Sequence, residues 1–146
     1  APHTYRDMYV VLQKEEGKPR RFRISETSWK LNACPMTYFT INRTENGYVA
    51  AWPTQGRVYF SRLDQSGAVL PPGEVKTPGT TGMRNGLVAL SAPDGMTLIA
   101  WKNKDVLGWQ LYDAKGQPQG DVGSAPSPSG GAAGVVLPDG RFLVFP

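Results

Sequence analysis

The chain has one cysteine, Cys34, and one histidine, His3, in 146 residues. A single thiol excludes an intrachain disulfide and leaves the redox compartment open. A Ser or Cys hydrolase needs an imidazole base, so one histidine thirty-one residues from the one cysteine argues against that chemistry. Clustered metal ligands are missing for the same reason, and no cofactor is expected. No apolar run approaches the ~18 residues of a membrane-spanning helix. Gly or Pro interrupts every window long enough to test for a 3.6-residue period, so helices are not expected. No Gly-rich loop follows a strand and opens a helix, as a phosphate cradle would.

What the chain has in plenty is turn residues, 17 Gly and 13 Pro, set between short apolar runs. That is the composition of an all-β domain. Net charge is +4. The one basic cluster, Lys18-Pro19-Arg20-Arg21-Phe22-Arg23, reads as a solvated turn entering an outer strand. No interleaved aromatic platform accompanies it, so nucleic acid is not an expected partner. The chain opens Ala1-Pro2-His3 without Met, which fits a processed, secreted or periplasmic protein.

The sequence repeats itself. Val49-Ala50-Ala51-Trp52 returns as Leu98-Ile99-Ala100-Trp101, and Asp64-Gln65-Ser66-Gly67 as Asp113-Ala114-Lys115-Gly116, both 49 residues on. Pro93-Asp94-Gly95 leads into one apolar strand and Pro138-Asp139-Gly140 into another. A period of roughly 45–50 residues is that of a four-stranded β-propeller blade. Strands are predicted at 8–12, 22–24, 37–41, 48–52, 57–63, 86–91, 97–101, 107–112, 132–137 and 141–145, with outer strands near 73–77 and 119–123. With strands lettered a to d from the axis outward, residues 1–28 supply c and d of a split blade. Residues 29–80 and 81–124 form one blade each, and 125–146 supply a and b. Twelve strands make three blade-equivalents, half of a six-bladed ring. Propellers close with ~4–8 blades, so a second copy or another propeller segment is expected to complete it.

Arg6, Asp7, Trp29, Asn32, Cys34 and Pro35 follow one another around an apolar strand and a glycine turn. In that order they resemble the sialidase-like propeller proteins of bacteria, among them exo-sialidase and BNR-repeat proteins. The resemblance implies a propeller and a glycan ligand. The chain departs from sialidases in two places. Ser61 to Gly67 has altered spacing for the Ser-x-Asp-x-Gly turn motif, and Phe22-Arg23-Ile24-Ser25 lacks the proline of the Arg-bearing motif. No trio of arginines, Tyr–Glu pair and acid Asp stands out. Asp94 and Asp139 lie in Pro-Asp-Gly turns, where the backbone itself calls for Asp.

What remains is a binding face at one axial end, formed by the loops that enter the inner strands and by those linking strands b and c, Lys102 to Asp105 among them. Its candidate ligand contacts are Arg6, Asp7, Asn32, Arg84, Asn85 and Lys102, with Arg6 and Arg84 foremost because a guanidinium fork suits a carboxylate or paired hydroxyls. The structural alternative is that Arg6 and Asp7 form an ion pair between blades. The expected function is a non-catalytic binding or assembly module. Part of a glycoside hydrolase, completed by other blades, is the second class.

Overall fold

Residues 4–146 are described by a computed structural model, and Ala1, Pro2 and His3 lie outside the described residues. Fourteen strands and no helix are found among them. Each pairing is antiparallel. The first four-stranded sheet runs β5 (Thr40–Arg43), β6 (Gly47–Thr54), β7 (Arg57–Asp64), β8 (Val75–Thr80). The second runs β9 (Leu87–Ser91), β10 (Thr97–Asn103), β11 (Val106–Tyr112), β12 (Pro118–Pro126). Two hairpins flank them, β2 (Tyr9–Leu12) with β3 (Arg20–Arg23), and β13 (Ala133–Val136) with β14 (Phe142–Phe145). A ribbon of β1 (Thr4–Arg6) and β4 (Trp29–Leu31) stands apart from these. The protein is all-β, made of several small open sheets.

Why these sheets stack is legible in β6. Val49 and Ala51 point to one face and Ala50 and Trp52 to the other, because successive strand residues alternate. Ala50 and Trp52 pack with Val10, Ile24 and Leu63 against the β2–β3 hairpin. Val49 and Ala51, with Val58 and Phe60, meet Leu87, Ala89, Ile99, Trp101 and Tyr112 of the second sheet. Leu98, Ala100 and Leu107 then face the β13–β14 hairpin through Val136, Phe142 and Val144. Three apolar clusters thus follow one another along the stack. A strand covered on both faces needs a continuous apolar run instead of alternation, which is what β6, β9 and β10 carry. Trp101 is accommodated by missing side chains: a Cβ on Gly79 or Gly108 would lie 2.4 Å from its indole.

The repeat extends to single hydrogen bonds. After β7, the Asp64 carboxylate accepts from the amides of Ser66 (2.8 Å) and Ala68 (3.0 Å), and Gly67 N donates to Asp64 O (3.0 Å). After β11, Asp113 accepts from Lys115 and Gln117 (both 2.9 Å), and Gly116 N donates to Asp113 O (3.0 Å). Gly67 and Gly116 close these turns at φ +86° and +77°, where a side chain is strained. Asp94 and Asp139 cap their turns alike, accepting from Met96 N (2.9 Å) and Arg141 N (3.0 Å).

A pH dependence follows from the Asp64 turn. The Ser66 hydroxyl (2.6 Å) is the main influence holding the Asp64 carboxyl below its ordinary 3.8; desolvation opposes it, and the amides of Ala68, Ser66 and Gly67 add to it. A folded-state pKa below the unfolded one stabilises the fold above the unfolded value, and this contribution is lost as pH falls through the folded value. Asp64→Ala is therefore expected to flatten the acid limb of the stability–pH curve, measured by urea unfolding from neutral pH downward. An acid limb as steep as wild type would assign the dependence to other groups.

Several boundaries differ from expectation. The strand count is fourteen instead of twelve, because β1 and β4 pair across 23 to 27 residues (Arg6 with Trp29, Thr4 with Leu31). Residues 29–31 therefore belong to that ribbon, and the first complete sheet starts at Thr40, not at residue 29. Thr37, Tyr38 and Phe39 precede β5 instead of forming its start. The outer strand expected near 73–77 lies at Val75–Thr80, and β12 reaches Pro126, beyond the boundary drawn at 124.

Candidate functional site

Strands β5, β9 and β13 begin near one another at one end of the stack. Asn42 Nδ2 donates to Ala89 O (2.8 Å) and ties β5 to β9, while Gly86 N donates to Gly130 O (3.0 Å) and ties the approach to β9 to that of β13. Around these starts lies a cavity of about 340 Å³, bordered by Tyr38, Phe39, Arg84, Leu87, Gly131 and Ala132. Its polar side chains are Tyr38, Thr40 and Arg84; no carboxylate lines it.

Local structure explains the exposed side chains at this rim. Arg84 sits at φ +60°, an uncommon conformation for a residue with a Cβ, and its amide donates to Met36 O (2.9 Å). That bond clasps the 81–86 loop to the 32–39 loop. The Arg84 side chain is exposed and has no hydrogen-bond or ion-pair partner among the described residues. Tyr38 and Phe39 are 55% and 67% exposed, high for adjacent aromatics. An aromatic face beside an unengaged guanidinium can stack on an apolar ring surface and grip an anionic or hydroxyl pair at once.

The six residues expected at this face separate into three groups. Arg84 and Asn85 lie on the loop that enters β9, and Asn85 Nδ2 folds back over Gly82, where a Cβ would come within 2.9 Å of it. Arg6, Asp7 and Asn32 belong to the β1–β4 ribbon and its margins. Arg6 Nη2 donates to Ala33 O (3.1 Å). Asp7 accepts from Arg23 Nη2 (2.9 Å) and Ser28 Oγ (2.8 Å), so its ion partner is Arg23 and not Arg6. Asn32 is exposed and its side chain makes no hydrogen bond among the described residues. Lys102 is the correction. It lies in β10, wholly buried, with Nζ donating to the carbonyl of Ser127, and is not on a loop. Its own carbonyl accepts from Thr81 Oγ1 (2.9 Å), and Lys102 does not line the cavity.

Sequence reasoning missed Tyr38 and Phe39, because two apolar residues ahead of Thr40-Ile41 look like the start of a buried strand. The positive φ of Arg84 left no signal in residue type.

A second groove of about 250 Å³ lies at the opposite end, bordered by Glu45, Arg62 and Asp94. Two of its charged groups are engaged: Asp94 caps its turn, and Arg62 Nη2 donates to Pro71 O (3.3 Å). Burial lowers the Arg62 pKa, with Asp113 opposing. Among the described residues no group of His, Cys, Asp and Glu is placed to hold a metal, and Cys34 is an exposed free thiol. Among the described residues no helix is long and apolar enough to cross a membrane. No protein-family model, curated protein or solved structure matches the chain.

Proposed function

We propose that this chain is an arc of a sialidase-like β-propeller acting as a non-catalytic binding module, with a carboxylate-bearing glycan as its ligand at the end where β5, β9 and β13 begin. The observation that carries the reading is the pairing of exposed Tyr38 and Phe39 with an unengaged Arg84 around one cavity. Sugar rings offer apolar faces that stack on aromatic rings, and a uronate or sialate adds the carboxylate that an arginine fork grips. The blade reading is supported by hairpins of two, four, four and two strands stacked face to face, with inner strands side by side. Glycoside hydrolysis by a carboxyl pair, and by the Tyr–Glu pair with an acid Asp that sialidases use, both call on carboxyl groups, and none lines this cavity.

Calorimetric titration with acidic and neutral oligosaccharides tests the proposal. Arg84→Ala is expected to weaken the acidic ligand by about tenfold to a hundredfold, as loss of a charged hydrogen bond does, and to leave neutral ones unchanged. Phe39→Ala should weaken both. Absence of binding to the whole panel overturns the reading. Turnover of a fluorogenic glycoside that is lost in Arg84→Ala replaces it with the hydrolase.

A further inference from the structure

We infer that the free edges at β2 and β14 are a mutual docking surface, on which a second copy of this chain seats its β13–β14 hairpin. The inference rests on the blade reading above and adds the partner.

Both flanking hairpins are finished on one face and open on the other. Val10 and Leu12 pack inward, while Tyr9 and Val11 remain 40% and 60% exposed, Tyr9 with the Arg21 guanidinium 3.8 Å over its ring. Phe142 and Val144 pack inward, while Leu143 and Phe145 remain 41% and 57% exposed. In the complete sheets the strands that stand at the place of β14, namely β6 and β10, are covered on both faces. Among the described residues β2 pairs only with β3 and β14 only with β13, and unpaired apolar edges of this kind recruit strands.

The two open faces are complementary in kind. The β2–β3 hairpin matches the outer half of a four-stranded sheet, and β13–β14 repeats the inner half, down to the Pro-Asp-Gly turn that also joins β9 to β10. Beside β2 there is a cavity of about 180 Å³, bordered by Tyr9, Val11, Phe39, Ile41, Ala50 and Trp52. The Trp52 Nε1 donor is buried there without an acceptor. A β14 strand paired to β2 would turn Leu143 and Phe145 towards this cavity. It would also lay β13 beside β5, the relation β13 already has to β9. A two-fold exchange satisfies both edges of both copies at once.

Light scattering of the whole chain tests this directly. The expected mass is twice 15.9 kDa, with β2 and β14 amides protected from hydrogen exchange. Val11→Glu and Phe145→Glu should each raise the dimer dissociation constant by about a hundredfold, as loss of a central apolar anchor does, with circular dichroism unchanged. Val122→Glu, an equally exposed position on β12 (50%), should leave the dimer intact. A monomer at high micromolar concentration overturns the inference, and so does a dimer indifferent to both edge variants. A monomer in which the β6 and β10 amides stay protected and glycan affinity is unchanged sinks the partner alone. Loss of β6 and β10 protection sinks the blade reading with it.

Discussion

Trp52→Ala is expected to lower the free energy of unfolding by about 3–5 kcal/mol. That is a large share of the ~5–15 kcal/mol that holds a domain together. Trp52 has no exposed surface and sits in the middle of β6, where it carries the cluster that fastens the β2–β3 hairpin to the first sheet. Small neighbours such as Ala50 cannot swing in to refill the space. The loss should be uneven: urea unfolding monitored by hydrogen exchange should release β2 and β3 well before β10 and β11. Trp52→Phe separates shape from polarity. Among the described residues the indole N–H has no acceptor, so phenylalanine gives up no hydrogen bond and, leaving a smaller void, should cost clearly less than alanine. A Phe variant as unstable as the Ala variant would mean that the N–H has a partner in solution.

The second large effect concerns Lys102, a fully buried ammonium with no carboxylate within ion-pair distance among the described residues. Burying a charge costs several kcal/mol unless it is paired, and one contact with the Ser127 carbonyl is modest compensation. Lys102→Met keeps the aliphatic stem and removes the charge, so it is expected to raise stability by about 1–3 kcal/mol despite freeing that carbonyl. Lys102→Ala should lie about 2–4 kcal/mol below the methionine variant, because it also empties the volume. Thermal unfolding of the three proteins decides both points. A methionine variant less stable than wild type would show that the ammonium is a net tie between β10 and the segment after β12.

The parts of this molecule that the sequence discloses are those written in adjacent residues. Asn46-Gly47, the two Pro-Asp-Gly turns and the two Asp-to-Gly turns each announce a hairpin, because a tight reversal needs those residue types within a few positions. Leu98 to Trp101 announces a strand buried on both faces by its unbroken apolar run. The β1–β4 ribbon stayed hidden because each strand has three residues and its partner is remote in the chain. Lys102 was misplaced for a related reason: Lys-Asn-Lys-Asp reads as a polar turn, yet β10 continues through Asn103 and leaves only two residues, Lys104 and Asp105, to reverse the chain. At the candidate site, Arg84 was legible as a loop residue entering an inner strand. Its clasp to Met36 and the exposure of Tyr38 and Phe39 depend on how two loops lean on each other, which no local pattern encodes.

The serial arrangement of the apolar clusters has a consequence for how such a chain could have grown. Because β6 turns one pair of side chains backward and another forward, each unit carries both halves of the contact it makes with its neighbours. A duplicated stretch of gene would thus encode a module that already fits its parent, with no new surface to invent. Divergence could then proceed in the outer strands and terminal loops, where a change disturbs one junction only.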